Sequence, residues 1–256
     1  MQNNTFSTLF VGQNLIKLAE VDSTNNYLKL LLSKSEPLPE GTVIMADNQF
    51  AGRGQQHNLW QSEPGKNLTF SLYLKPKFLP VQQQFLLNMA ISVALNNALS
   101  EFLGDEVKIK WPNDIYYQKL KLGGILIENL LSGQTYKSGI IGIGLNVNQV
   151  EFSGDLNYRA ISLSQILHKN VDLTALLAVI CSHIESQYLK LRGNNYFLLQ
   201  VEYQQKLFQF EKTSKYRYNG RIIEGMITAV TEQGLLVINS KGVEKAYNFK
   251  EVEFII

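Results

Sequence analysis

Two apolar runs, Ile125 to Leu131 and Ser138 to Val147, flank the short segment Ser132-Gly133-Gln134, and no other feature constrains the fold so tightly. Strand-forming runs joined by a few turn residues fold back on each other, so these two are expected as antiparallel neighbours. A chain that turns back in this way, with helices between its strand pairs, points to an α+β mixed sheet rather than a doubly wound one. Further strands are read over Gly41 to Asp47, Leu68 to Leu74 and Val107 to Lys110.

The helices follow from spacing. Asp22-Ser23-Thr24 offers N-cap residues before Asn25 to Ser33, where Tyr27, Leu28, Leu31 and Leu32 share a face. After Pro80, the stretch Gln82 to Phe102 carries Phe85, Leu86, Met89, Val93 and Leu99 at helical intervals. Asp172 can cap a helix to about Lys190, and another is expected from Asn195 to about Phe208. From Glu211 the texture changes to short strands, Lys215 to Tyr218, Arg221 to Val230, Gly234 to Asn239 and Val243 to Asn248. They turn at Asn219-Gly220, Gln233-Gly234 and Lys241-Gly242. Even spacing of this kind suggests a small barrel. The 256 residues therefore divide into a large unit, 1–210, and a small one, 211–256.

Several function classes are excluded. Lys and Arg exceed Asp and Glu by only 24 to 22, and charged residues are scattered without single-sign runs, so nothing resembles a nucleic-acid-binding arm. The single cysteine, Cys181, rules out an internal disulfide and a cysteine-built metal site. Met1 to Phe10 lacks a secretory pattern, and no apolar stretch is read as approaching transmembrane length, so a cytoplasmic protein without a membrane partner is expected.

Site-like composition lies in two segments. Lys110-Trp111-Pro112-Asn113-Asp114 is followed by Lys121-Leu122-Gly123-Gly124-Ile125-Leu126, which crowds charge and paired glycines against an apolar strand. A cation beside residues without Cβ can meet an anion while backbone also approaches. Upstream, Gly52-Arg53-Gly54-Gln55 leads to Trp60. Two such segments on one chain imply one anionic ligand. Each residue also has a plainer reading. Arg53 could pair with a surface carboxylate, Lys121 could be a solvated strand end, Ser23 to Asn25 could only cap a helix, Asn113-Asp114 could be a turn, and Trp60 could be core.

Five motifs in order carry a family resemblance: Asp22-Ser23-Thr24-Asn25, the Gly52-Arg53-Gly54 loop ending in Trp60, Lys110 to Asp114, Lys121 to Leu126, and Gly142-Ile143-Gly144-Leu145-Asn146-Val147-Asn148. In these the chain resembles the biotin protein ligases, the ligases that act on acetyl-CoA carboxylase. The resemblance implies a mixed-sheet catalytic domain followed by an SH3-like barrel. It also implies activation of biotin by ATP with Mg²⁺ as biotinyl-5′-AMP, and transfer to a lysine of a biotin carboxyl carrier domain. Ser23, Thr24, Asn25 and Gln49 would bind the biotin head, while Gly52, Arg53, Gly54, Gln55, Lys121, Gly123 and Gly124 would line the carboxylate and adenylate. Lys121, Arg53 and Asp114 would be catalytic, with Asp114 either a Mg²⁺ partner or a base. Lys110, Asn113, Asn146 and Trp60 would face the nucleotide.

The 21 residues before Asp22 are too few for a winged helix-turn-helix, so a monofunctional ligase, monomeric or weakly dimeric, is expected. One departure stands out, since Gln55, Gln56, His57 and Asn58 occupy places that are basic in many relatives. Lys110, Lys121 and Mg²⁺ are then expected to carry more of the work of retaining the adenylate. The rival readings are a lipoate or octanoate transferase of the same superfamily and a non-catalytic biotin-binding protein.

Overall fold

A computed structural model describes residues 6–34, 37–55, 58–133, 135–154 and 158–256. The chain runs β1 (Leu15–Val21), α1 (Thr24–Leu32), β2 (Val43–Gln49), β3 (Leu68–Leu74), α2 (Phe85–Leu103), β4 (Val107–Lys110), β5 (Asp114–Tyr117), β6 (Leu120–Ser132) and β7 (Thr135–Leu145). It continues with α3 (Leu163–Leu167), α4 (Leu173–Arg192), α5 (Tyr196–Gln205), β8 (Thr213–Tyr218), β9 (Arg221–Val230), β10 (Leu236–Ser240), β11 (Val243–Tyr247) and β12 (Val252–Phe254).

The first seven strands form one mixed sheet in the order β1-β2-β3-β7-β6-β5-β4, in which β1 runs parallel to β2 and every other pair is antiparallel. The expected hairpin is β6–β7, with Gly124 opposite Gly144 and Leu126 opposite Gly142; Gln134 of its turn lies outside the described residues. Because side chains alternate along strands, the sheet has two differently used faces. Phe70, Leu72, Ile141, Ile143 and Leu145 belong to the main core, shared with α2, α4 and α5. On the opposite face α1 covers Ile44, Tyr73 and Ile140 with Leu28. Beyond α1 that face carries glycines rather than large side chains.

Helix α2 explains one difference from the sequence reading. The stretch Val81–Glu106 is long and apolar enough to span a bilayer, with a mean hydropathy of 1.2 over its best window, yet 67% of that window is buried within the fold. It is apolar all round because strands and helices surround it. Strands β1, β5 and β12 were not foreseen. β1 is an edge strand without a fully buried position, so its polarity does not alternate cleanly. In the Trp111–Asp114 stretch the turn closes at Asn113 and Asp114 already begins β5.

Strands β8–β12 form a separate antiparallel sheet, in the order β11-β10-β9-β8-β12, which matches an SH3-like unit. Trp111 ties it to the larger sheet, because its indole Nε1 donates to Gly234 O at 3.0 Å and its ring meets Phe249 edge-on at 6.1 Å. The N-terminal segment is fastened by Glu185 of α4. This buried carboxylate accepts the backbone N–H groups of Leu9, Phe10 and Val11 at 2.7, 2.8 and 3.0 Å. Cys181 is buried in the main core, and desolvation pushes its thiol up to about 12, which suits a packing residue.

Candidate active site

The glycines of β6 and β7 create the cavity. Gly124, Gly142 and Gly144 fall on the face that α1 leaves bare, so the strands there present backbone where other residues would present side chains. Each absence is filled by a specific neighbour. A Cβ on Gly142 would lie 2.6 Å from Asn25 Oδ1, and one on Gly144 would overlap the Trp60 indole. A Cβ on Gly124 would stand 3.3 Å from Asp114 Oδ1 and 3.6 Å from Lys121 Nζ. Asn25, Trp60 and the Asp114–Lys121 pair therefore all approach one strip of bare sheet. The cavity measures about 250 Å³, slightly under the roughly 300–1,000 Å³ usual for small-molecule sites, as expected where Trp60 lies down on its floor.

One end is polar and neutral. Ser23 occupies the N-cap position of α1 with extended backbone, but its side chain makes no capping bond. Gln49, at the end of β2, does the capping instead: its Oε1 accepts Thr24 N at 2.8 Å and Thr24 Oγ1 at 3.1 Å. The capping reading of Ser23 is thereby corrected. Ser71 Oγ, from β3, stands 2.7 Å from Thr24 Oγ1 and 2.5 Å from Asn25 Oδ1. Ser23, Thr24, Asn25 and Gln49 all line the cavity, so hydroxyls and amides converge at a helix N-terminus.

The other end is charged. Lys121 Nζ contacts Asp114 Oδ1 at 2.7 Å, with their side chains 33% and 21% exposed. Lys110 also lines the cavity, and its Nζ stands over the rings of Tyr116 and Phe254 at 5.3 and 5.0 Å. Burial pulls its pKa below the usual lysine value, an effect that Asp114 partly opposes and Lys121 adds to. A cation so poorly hydrated gains by meeting a ligand anion. Arg53 reaches in from the 52–60 loop, with its guanidinium against Glu128 and its Nε buried without a partner among the described residues.

The remaining expected residues divide between the cavity and its surroundings. Gly54, Gln55, Trp60 and Asn113 line the cavity, whereas Gly52, Gly123 and Asn146 do not. Asn146 is buried behind the sheet end, where its amide donates to Ile161 O at 3.2 Å and Lys121 O at 3.4 Å. Asn113 likewise donates to Ile125 O, and Gly123 abuts Gly144 O. These three shape the site through backbone. Gln55 contributes a buried Oε1 without a hydrogen-bond partner among the described residues, while Gln56 and His57 lie outside them.

Sequence reasoning missed Ser71, Glu128 and Phe249. Alternation could have found the first two. Ser71 and Thr69 are the polar positions of a wholly buried strand, and Glu128 shares a face with Gly124 and Leu126. Phe249 comes from the small sheet and carried no local signal.

Comparison with known proteins identifies the family. Residues 18–146 match the biotin/lipoate A/B protein ligase family. The bifunctional ligase/repressor BirA of Bacillus subtilis is 30% identical over 244 residues, covering 94% of this chain and 74% of that protein. The biotin–acetyl-CoA-carboxylase ligase of Paracoccus denitrificans is 36% identical over 135 residues, or 51% of this chain and 53% of that one. Among solved structures, the biotin protein ligase from Aquifex aeolicus in complex with biotin and ATP superposes with a TM-score of 0.78 at 29% identity, covering 94% of this chain and 98% of that one.

Proposed function

The chain belongs to the biotin/lipoate A/B protein ligase family, and from that premise we propose that it activates biotin with ATP and transfers the biotinyl group to a lysine of a biotin carboxyl carrier domain. The observation that carries this reading is the single cavity in which neutral hydroxyl and amide groups at the α1 end meet Arg53, Lys110 and Lys121 at the other. A ureido ring needs the first set. A carboxylate pressed against an α-phosphate needs the second.

In the first step a biotin carboxylate oxygen attacks the α-phosphorus and pyrophosphate leaves. Two anions must come together, so fixed cations offset their repulsion. Lys121 supplies a point charge beside the forming acyl phosphate, and Arg53 offers the donor geometry that suits a carboxylate or phosphate. In the second step the carrier lysine amine attacks the acyl carbon, AMP departs, and the amine loses a proton. Asp114, which lines the cavity beside Lys121, is a candidate base for that proton or else a partner of Mg²⁺. Among the described residues no group of three or more His, Cys, Asp or Glu could hold a metal by itself. Mg²⁺ would then be carried mainly by the phosphates, and in the second of its two roles Asp114 would be its protein partner. The carrier belongs to a biotin-dependent carboxylase, and the enzyme acts as a monomer or weak dimer without nucleic acid. Residues 1–210 form the catalytic unit and 211–256 the SH3-like one.

ATP–pyrophosphate exchange with biotin, lipoate and octanoate tests the reading. Exchange should require biotin and fall about 10²–10³-fold in Lys121→Ala, the usual effect of removing one preorganised charge-stabilising group. Exchange with lipoate alone would transfer the protein to the sister activity, and none with any acid would leave a binding protein.

A further inference from the structure

Glu128 lies beside the cavity on β6, and its carboxylate joins Asn25 and Lys29, one turn apart on α1, to Arg53 of the 52–60 loop. Oε1 accepts Lys29 Nζ at 2.7 Å and also meets Arg53 Nη2, while Oε2 accepts Asn25 Nδ2 at 2.8 Å. Asn25 and Lys29 come from α1, which forms the polar end of the ligand site, and Arg53 comes from the loop that reaches its charged end. Their hydrogen bonds outweigh the opposing effect of burial and hold the Glu128 pKa below its usual value.

Each contact fixes what its partner shows the ligand. Asn25 turns its amide nitrogen to Glu128, so its Oδ1 is the end that faces Ser71 and the bare strip at Gly142. A neutral amide at position 128 could accept or donate and would not impose that orientation. Arg53 has its Nη2 clamped, while its Nε–H is buried and has no hydrogen-bond partner among the described residues. A guanidinium is a rigid planar fork, so clamping one edge aims another. Two cations against one carboxylate still leave the cluster net positive, which suits an anionic ligand.

We propose that Glu128 is a positioning residue that couples the ring-binding end of the site to its anion-binding loop, so that acid and nucleotide each depend on the same carboxylate. This rests on the biotin and ATP reading of the cavity. It predicts a joint loss. Removing the charge should loosen both Arg53 and Asn25, whereas removing Lys29 should loosen neither.

Titration calorimetry on the full chain tests it, with biotin alone, with a non-hydrolysable α,β-methylene ATP alone, and with biotin in the presence of that analogue. The variants are Glu128→Gln and Lys29→Met. Glu128→Gln should weaken each ligand about tenfold, the scale of one charge-assisted hydrogen bond, and should abolish any effect of the analogue on biotin affinity. Lys29→Met should stay within about twofold of wild type. A merely structural role would lower the bound stoichiometry, through a smaller folded fraction, and leave both affinities intact; that result overturns the proposal. So does weakening of one ligand alone. Wild-type protein binding neither ligand would overturn the ligase reading itself, whereas wild-type binding matched by Glu128→Gln would overturn only the role assigned here.

Discussion

Gly144→Ala isolates the contact between Trp60 and the glycine floor. The added Cβ would overlap three atoms of the indole, the farther two at 2.6 and 2.8 Å, and those ring atoms sit near the rigid middle of the side chain. Either β7 or the 52–60 loop must shift. Overpacking of this kind costs about 1–3 kcal/mol, which for a chain of this size corresponds to roughly 2–12 °C in Tm. Trp60→Ala loses a half-buried indole and should cost about 1.5–2.5 kcal/mol, half the range for a core tryptophan. If the two changes were independent, the double variant would lose about 2.5–5.5 kcal/mol. If the clash is the cause, the alanine costs nothing once the ring is gone, and the double variant should match Trp60→Ala alone. Denaturant unfolding of the four proteins measures the cycle. Limited proteolysis at 52–60 should show faster cutting in Gly144→Ala without ligand, slowed by biotin plus ATP. Additive destabilisation, with unchanged cutting, would refute the idea that Trp60 rests on Gly144.

Other outcomes follow from the same structure. Glu185→Gln puts an amide against three backbone donors that now share a carboxylate; hydrogen bonds to a charged group are worth about 1.5–3 kcal/mol each, and unfolding free energy should fall by about 2–4 kcal/mol. An unchanged value would show that the N-terminal segment is not fastened there. Lys110 has a depressed pKa, so the unfolded chain binds its proton more tightly, and its burial opposes folding at neutral pH. Lys110→Met should therefore raise Tm near neutrality, less so as the pH climbs toward the ordinary lysine value, while weakening ATP; a lowered Tm would count against the burial argument. Glu128 has the opposite sense. Its contribution is present above the ordinary value of 4.5 and is lost as the pH falls through its lower folded value. The stability gap between wild type and Glu128→Gln should close over that acid range, and a constant gap would mean that the ion pairs do not create it.

The sequence by itself determined the local pieces. Alternation and turn residues marked β3, β4 and the β6–β7 hairpin, helical spacing marked α1, α2 and α4, and regular short strands marked the C-terminal sheet. Glycine and charge crowded beside an apolar strand marked the segments around Arg53, Lys110 and Lys121, and the family resemblance carried by the ordered motifs named Ser23 to Asn25 and Gln49, all of which line the cavity. Those signals are local, carried by neighbours along the chain. Tertiary structure alone decided which polar groups share a partner. Gln49 caps α1 across 25 positions, and Arg53, Lys29 and Asn25 meet on a glutamate some 75 to 103 positions away. Alternation puts Glu128 on the face of Gly124 and Leu126, but its partners are not written nearby, since an ion pair depends on where strands cross and not on what adjoins them. Asn113 and Asn146 illustrate the converse: both stand in site-like motifs, but packing turns their amides onto Ile125 and Ile161 carbonyls, where they hold the backbone that the ligand would meet.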